Sequence, residues 1–409
     1  MNHNFRSTRR DFLKIAGITT SLGGLATPLL GGLTGTAFAG NEKATGDGKI
    51  LVVLELSGGN DGLNTLVPFG DDAYYRNRPK LGIKENKLRK IDDHFGFNPD
   101  MAGMERLYKD GKMAIFHGCG YDQPSFSHFT SMAYWHTAAP NSGESLGWFG
   151  RLADALDPAQ TPNFIVNVDE IQSLAVVAKN HVPVVFDDPA EFGRKGLFES
   201  RSLLEMDRSH IATASKAQQK LLNLARSARQ ASEKVRTACA AYKTPVDYGI
   251  SSLDLEKIAA LINANMSTRL YYTSFRHNAF DTHVQQPNLH QRLLTYFSDA
   301  VAGFFTDLER IGRADDVVML VFSEFGRRVA ENTNLGTDHG TANNMYLIGN
   351  GVRGGHYGVV PSLTDLVDGN LVHTTDFRQV YATAMSGWLG LQDHSSVLRK
   401  KFETFPAFG

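Results

Sequence analysis

Apolar residues fall along the chain in two patterns. Short unbroken runs, rich in β-branched residues and closed by glycine or polar loops, occupy residues 49–56, 112–118, 317–322 and 344–349. Such runs predict strands buried on both faces. Residues 289–311 instead space Leu293, Leu294, Phe297, Val301, Phe304 and Phe305 at helical intervals, which predicts an amphipathic helix. Alternation of the two patterns predicts an α/β fold with a largely buried sheet. Residues 209–242 shift to Ala, Lys, Gln, Arg and Ser with almost no Gly or Pro, so a long exposed helix is expected there, followed by a second over 253–271. Residues 189–271 then read as a mostly helical insertion or cap, or as helices covering one face of the sheet.

Ahead of the first strand, Ser7-Thr8-Arg9-Arg10-Asp11-Phe12-Leu13-Lys14 sets paired arginines before an apolar stretch broken by Gly17, Gly23, Gly24, Pro28 and Gly31. The stretch ends in Ala37-Phe38-Ala39, a small-x-small cleavage pattern. This predicts a twin-arginine signal peptide over residues 1–39, leaving a mature domain at 40–409. The expected partner during export is the twin-arginine translocase, and the expected location is periplasmic or extracellular. A permanent membrane span is not expected, because the stretch lacks about 20 continuous strongly apolar residues.

Composition narrows the function classes. With 42 basic and 43 acidic side chains in 409 residues and 42% hydrophobic content, the chain is neither disordered nor a dedicated nucleic-acid binder. Cys119 and Cys239, the two cysteines, permit at most one disulfide, and their spacing fits no zinc motif. Any activity must therefore come from a localised site.

Four polar clusters fall at or just beyond the ends of predicted strands, where open α/β sheets bind ligands. In Asn60-Asp61-Gly62-Leu63-Asn64, Asp61 is a candidate metal ligand or a turn residue. In Pro124-Ser125-Phe126-Ser127-His128-Phe129, a serine at a helix start can cap the helix or present its hydroxyl where backbone N–H groups bind an anion. In Phe280-Asp281-Thr282-His283, a carboxylate and an imidazole two residues apart can face one cation, or form a solvated loop. The fourth joins Ser323-Glu324-Phe325-Gly326-Arg327-Arg328 to Gly336-Thr337-Asp338-His339-Gly340. Asp61, Asp281, His283, Glu324, Asp338 and His339 together form an oxygen and nitrogen donor set suited to zinc, manganese or another divalent metal, calcium included.

The ordered set of these motifs, with the leader, Val352-Arg353-Gly354-Gly355-His356-Tyr357-Gly358 and Thr375-Asp376-Phe377-Arg378, resembles an exported bacterial family known as domain of unknown function 1501. That family is grouped with the alkaline-phosphatase-like superfamily. The resemblance covers nearly the whole chain and implies an αβα sandwich with two metal positions. On this reading Asp61 matches the first ligand, Ser127 the nucleophile, and Asp281, His283 and His339 one metal position. Glu324 falls where an Asp-His pair would begin, and Phe325 takes the histidine's place, so the second position lacks its nitrogen. Neither cysteine lies in the Cys-x-Pro-x-Arg pattern of the sulfatase branch.

These readings lead to an exported metal-dependent hydrolase of phosphate or sulfate esters, on a small-molecule, glycan or other envelope substrate. Ser127 would attack, with His128 beside it, while Asn64 or Arg327 would hold the anionic oxygens. The competing expectation is a non-catalytic exported scaffold or binding protein that keeps the fold.

Overall fold

The computed structural model describes residues 48–192, 215 and 231–409; the signal-peptide expectation falls outside them. The chain divides into two compact units, one holding Ala44–Val185 and Lys243–Gly409, the other including Phe186–Tyr242.

The larger unit is built on nine strands: β1 (Ile50–Leu56), β2 (Met113–Gly120), β3 (Ile165–Val168), β4 (Val184–Phe186), β5 (Leu270–Phe275), β6 (Val317–Phe322), β7 (Asn343–Ile348), β8 (Gly355–Tyr357) and β9 (Thr375–Asp376). Across the sheet they run β8-β2-β7-β6-β1-β5-β3-β4, with β9 also pairing with β2. β1 lies parallel to both β5 and β6, β3 is parallel to β5, and β8 and β9 are parallel to β2. Only β7, among the pairings described, runs antiparallel to its neighbours β2 and β6. All seven residues of β1 and all six of β6 are buried, as expected of strands covered on both sides.

Helices fill both layers. These are α1 (Gly62–Thr65), α2 (Asp72–Asn77), α3 (Ala102–Lys109), α4 (His128–Thr137), α5 (Trp148–Leu156), α6 (Leu255–Asn263), α7 (Gln286–Arg310) and α8 (Phe377–Thr383). Leu51 and Val53 of β1 join Trp135, Trp148, Phe149 and Tyr381 of α4, α5 and α8 in one hydrophobic cluster. Val52 and Leu54 point to the opposite face by the two-residue period of a strand. The long α7 packs against α3 and α6 and buries Leu294, Phe297, Val301 and Phe304 completely. The architecture is the αβα sandwich expected from the sequence.

The expected second helix over 253–271 is shorter than its window. It ends at Asn263, and Leu270-Tyr271-Tyr272-Thr273-Ser274-Phe275 forms β5 instead. Two adjacent tyrosines flanking β-branched and apolar positions fit a buried parallel strand better than a helix. Of the long helix expected over 209–242, residues 231–241 are helical while Ser215 and Tyr242 are not; residues 193–214 and 216–230 lie outside the described set. No helix among the described residues is long and apolar enough to cross a membrane.

Candidate metal centre

Parallel strands place their carboxyl ends along one edge of the sheet, and the polar motifs follow those ends. Asp281 and His283 lie beyond β5, Glu324 is two residues past the end of β6, His339 sits between β6 and β7, and His128 opens α4 after β2. Three of these side chains, His128, Asp281 and His339, come within ligand reach of one another, and His283 adjoins Asp281 and His339. Asp281 Oδ1 is 3.0 Å from His283 Nε2 and 3.1 Å from His339 Nε2, and the two Nε2 atoms are 2.9 Å apart. Donors bound tetrahedrally at 2.0–2.1 Å from a zinc ion would be separated by about 3.3 Å, so this triangle is close to ligand spacing. His128 Nε2 lies 3.4 Å from Asp281 Oδ2, and one ligand atom each from His128, Asp281 and His339 lie within 4.8 Å of one another.

The outer atoms of the three rings fix which nitrogen faces inward. His339 Nδ1 is 2.7 Å from the Phe126 carbonyl oxygen, an acceptor with no proton to give, so Nδ1 carries the hydrogen. His128 Nδ1 is 2.7 Å from Glu324 Oε1, and His283 Nδ1 is 3.4 Å from Asp338 Oδ1. In their neutral forms all three rings therefore turn an Nε2 lone pair toward Asp281. The Nε2 atom of His128 is buried and makes no hydrogen bond among the described residues. Two lone pairs 2.9 Å apart and a third buried without a partner repel or go unsatisfied unless a proton or cation lies between them. Carbonyl and carboxylate partners behind the imidazoles are the usual outer support of a histidine metal site.

Electrostatics favours the ligand protonation states of Asp281 and His339 but not of His128, whose pKa burial lowers and the Glu324 bond and the Glu324 and Asp281 charges raise overall. Burial raises the Asp281 carboxyl, but the bond to Arg327 and that cation's charge outweigh it and hold the pKa below its ordinary value. His339 is pushed down, first by burial and then by the Arg327 and His128 charges, against bonds to Phe126 and Asp281. An ionised carboxylate and a neutral imidazole are the forms that bind a divalent metal.

Several expected site residues are engaged by other partners. Asp61, an expected ligand, is fully buried, with Oδ2 2.7 Å from Arg78 Nη1 and 2.6 Å from Gln286 Nε2; its carboxylate is consumed by that pair, and its Oδ1 accepts from the Asn64 backbone at the start of α1. Asn64, expected at the substrate, donates to Leu81 O at 3.1 Å and accepts from Tyr74 and Arg78 at 2.8 and 2.7 Å. Arg327, also expected at the substrate, is buried and donates to the carbonyls of Gly58, Gly59, Phe280 and Thr337, and at 2.8 Å to Asp281 Oδ1. It orients a ligand and ties three loops together. Glu324, expected as a ligand, accepts from Gly58 N at 2.9 Å and Ser323 Oγ at 3.1 Å as well as facing His128. Asp338 backs His283 and accepts from Asn332 Nδ2 at 3.1 Å.

Phe325, expected in place of the nitrogen ligand of a second position, packs against two of the imidazoles. Its ring centroid is 4.9 Å from that of His128 and 4.7 Å from that of His339. Gly59 makes room for it: at φ +68°, any Cβ there would lie 2.2 Å from the Phe325 ring. With Asp61 paired to Arg78 and Phe325 against the imidazoles, the described residues offer one candidate metal position.

Ser127 is the N-cap residue of α4, but its side chain makes no capping bond; the bond in this turn runs from Ser127 N to Ser125 Oγ at 3.2 Å. The exposed Ser127 is flanked by Phe126, whose carbonyl holds His339, and by His128. Sequence reasoning placed His128 beside the expected nucleophile Ser127; its Nε2 also faces Asp281 Oδ2, a contact that its adjacency to Ser127 did not suggest. Motif residue His356 joins a different group, with Nδ1 2.7 Å from His117 Nε2 and Nε2 3.0 Å from Asp92 Oδ2. Asp376 caps α8 in a capping box and pairs with Arg378.

Fold and site together define an α/β sandwich with a histidine-rich candidate metal centre at the carboxyl edge of its sheet. Residues 48–400 match the model of the family described as protein of unknown function DUF1501, and the chain belongs to that family. No curated protein matches it. Among solved structures it is similar to a protein in the alkaline phosphatase superfamily from Vibrio parahaemolyticus, at 11% identity and TM-score 0.39, covering 93% of this chain and 75% of that one. It is also similar to the C-terminal periplasmic domain of EcEptC from Escherichia coli in complex with Zn, at 9% and 0.36, covering 75% and 74%. A third is the phosphonate monoester hydrolase SpPMH from Silicibacter pomeroyi, at 8% and 0.35, covering 87% and 78%.

Proposed function

We propose that this protein is an exported hydrolase of phosphate or sulfate esters that works with one divalent metal ion, zinc or manganese. The observation that carries the reading is the convergence of His128, His283 and His339 Nε2 on Asp281, with an acceptor behind each ring. Such an ion supplies Lewis acidity to the ester's anionic oxygens and lowers the pKa of the attacking hydroxyl. Ser127 offers that hydroxyl: its Oγ forms the new bond to phosphorus or sulfur, the ester oxygen leaves with a proton, and water later releases the inorganic anion. Arg327 holds Asp281 in its ligand orientation and keeps it ionised. Arg328, exposed and on the same segment, carries a charge that also lowers the Asp338 pKa, and is the cation available to an ester oxygen in place of the buried Arg327. Export through the twin-arginine route, with the ion inserted into the folded chain, accounts for Arg9-Arg10 and the Ala37-Phe38-Ala39 pattern.

The test is a panel of phosphate and sulfate esters assayed with the metal-loaded chain and with Ser127→Ala. Hydrolysis by the loaded chain, lost in Ser127→Ala while the metal is retained, supports the reading. A chain that binds no metal and cleaves no ester leaves the non-catalytic scaffold.

A further inference from the structure

The three imidazoles of the centre are not held equally. His128 is backed at 2.7 Å by the fully buried Glu324, and His339 at 2.7 Å by a backbone carbonyl. His283 has Asp338 behind it at 3.4 Å, and that carboxylate is 53% exposed. A carboxylate in water turns freely, so support at that distance needs something to aim it. Asn332 meets this need. Its Nδ2 donates at 3.1 Å to Asp338 Oδ1, the oxygen that faces His283 Nδ1, and at 2.9 Å to the carbonyl oxygen of His283 itself. Its Oδ1 accepts from Asn334 N at 2.9 Å and from Gly336 N at 3.0 Å. Both donors and both lone pairs of the amide are used, and each partner is compatible with only one assignment of its oxygen and nitrogen, so its orientation is fixed. The turn that carries Asn332 is pressed onto the same segment. A Cβ on Gly336 would lie 2.1 Å from the His283 carbonyl oxygen, and Thr337 N donates to Thr282 O at 3.3 Å.

Resting on the proposed metal reading, we infer that Asn332 is a positioning residue for His283: its bond to the carbonyl anchors the amide to the segment bearing the imidazole, and its bond to the carboxylate aims Asp338 at the ring. One amide thus joins the backbone from which the ligand hangs to the group that orients it. Asn332→Asp separates this role from the turn. One carboxylate oxygen can still accept from Asn334 N and Gly336 N, but the other donates nothing and repels both Asp338 and the His283 carbonyl. Loss of an outer support of this kind lowers metal affinity about 10- to 100-fold, and here the loss should fall on one imidazole of the three.

The test uses the zinc-saturated full chain, with affinity read by chelator competition and ligand number by X-ray absorption at the zinc edge. Asn332→Asp is expected to bind zinc about 10- to 100-fold more weakly and to show two imidazoles in place of three. His283→Ala should show the same two. Adding Asn332→Asp to His283→Ala should change affinity by less than about twofold, since the ligand that Asn332 positions is already gone. An asparagine that served the fold alone would lower affinity again in that background. Asp338→Ala alters an exposed side chain, leaves the turn intact and should also cost one imidazole, so it carries the test if Asn332→Asp does not fold. Wild-type affinity with three imidazoles in Asn332→Asp, the same result in Asp338→Ala, or full additivity with His283→Ala overturns the positioning role and leaves the metal centre standing. A wild-type chain that binds no zinc, or binds it without histidine nitrogen, overturns the metal reading itself.

Discussion

Glu324 separates a metal-supporting network from an ordinary buried hydrogen-bond cluster. Its carboxylate is fully buried and faces His128 Nδ1 at 2.7 Å, while the Gly58 amide and the Ser323 hydroxyl occupy its remaining lone pairs. In Glu324→Gln the amide can keep its oxygen toward His128 and turn its NH₂ toward Ser323, whose hydroxyl still donates to Leu56 O. Shape and connectivity survive, and only the charge is lost. Charge-assisted bonds are about twice as strong as neutral ones, so the folded state should lose on the order of 1–2 kcal/mol. Because the carboxylate makes His128 Nε2 a better donor, zinc affinity should fall about 10- to 100-fold. Glu324→Ala should cost more, since Gly58 N–H and His128 Nδ1–H lose a buried acceptor at about 1–3 kcal/mol each. Competition against a chromogenic chelator gives the affinity, and urea unfolding of the metal-free chain gives the stability. Zinc affinity in Glu324→Gln equal to wild type would refute the argument that this carboxylate orients a ligand.

Other consequences follow from the same geometry. Asp61→Ala should destabilise the chain by about 3–5 kcal/mol, because it strands the buried Arg78 charge, while zinc stoichiometry in the folded fraction stays at the wild-type value; loss of zinc without loss of stability would restore Asp61 as a ligand. Ser127→Ala should change the melting free energy by less than the roughly 1 kcal/mol of a lost N-cap, since the hydroxyl makes no capping bond, and a full capping penalty would show that it does cap in solution. In the metal-free chain His128 is protonated more readily than a free imidazole: burial opposes this, but the Glu324 bond and the Glu324 and Asp281 charges prevail. The stabilisation from that raised pKa is fully present below about pH 6.5, the unfolded value, and is lost as pH rises through the folded value. Zinc must displace that proton, so zinc affinity should weaken as pH falls through the same window; a pH-independent affinity would exclude His128 as a ligand. Arg9→Lys with Arg10→Lys should leave the chain inside the cell with its leader attached, as read by the mass of the exported fraction.

Strands were the most legible part of the chain. Continuous apolar runs such as Ile50–Leu56 and Val317–Phe322 have no solvent face, so composition alone marks them. The direction of β7 was not legible, because an antiparallel strand inserted among parallel ones carries the same apolar run. β5 was hidden because Leu270–Phe275 begins only six residues after α6 and shares the aromatic content of a helix face. In the site, Asp281, His283 and His339 belonged to the six-residue donor set read from types and strand-end positions, and the family resemblance grouped them at one position; they do lie together. Asp61, Asn64, Arg327 and Glu324 could not be sorted in that way. A buried carboxylate or guanidinium is assigned by its neighbours, and Arg78, Gln286, Gly58 and the carbonyls that occupy these groups lie up to 269 residues away in sequence. The approach of His128 to Asp281 was hidden for the same reason: its partner Glu324 is 196 residues distant.

The proposed centre would hold a single metal ion between three imidazoles and one carboxylate. X-ray absorption at the zinc edge, on the chain loaded with one equivalent of Zn²⁺, reads ligand type and number directly. Three histidine nitrogens and one oxygen at about 2.0–2.1 Å are expected, with one ion per chain and fewer imidazoles in His128→Ala and His339→Ala. An ion surrounded by oxygen alone, a wild-type spectrum unchanged in His128→Ala, or a chain that retains no zinc would contradict it.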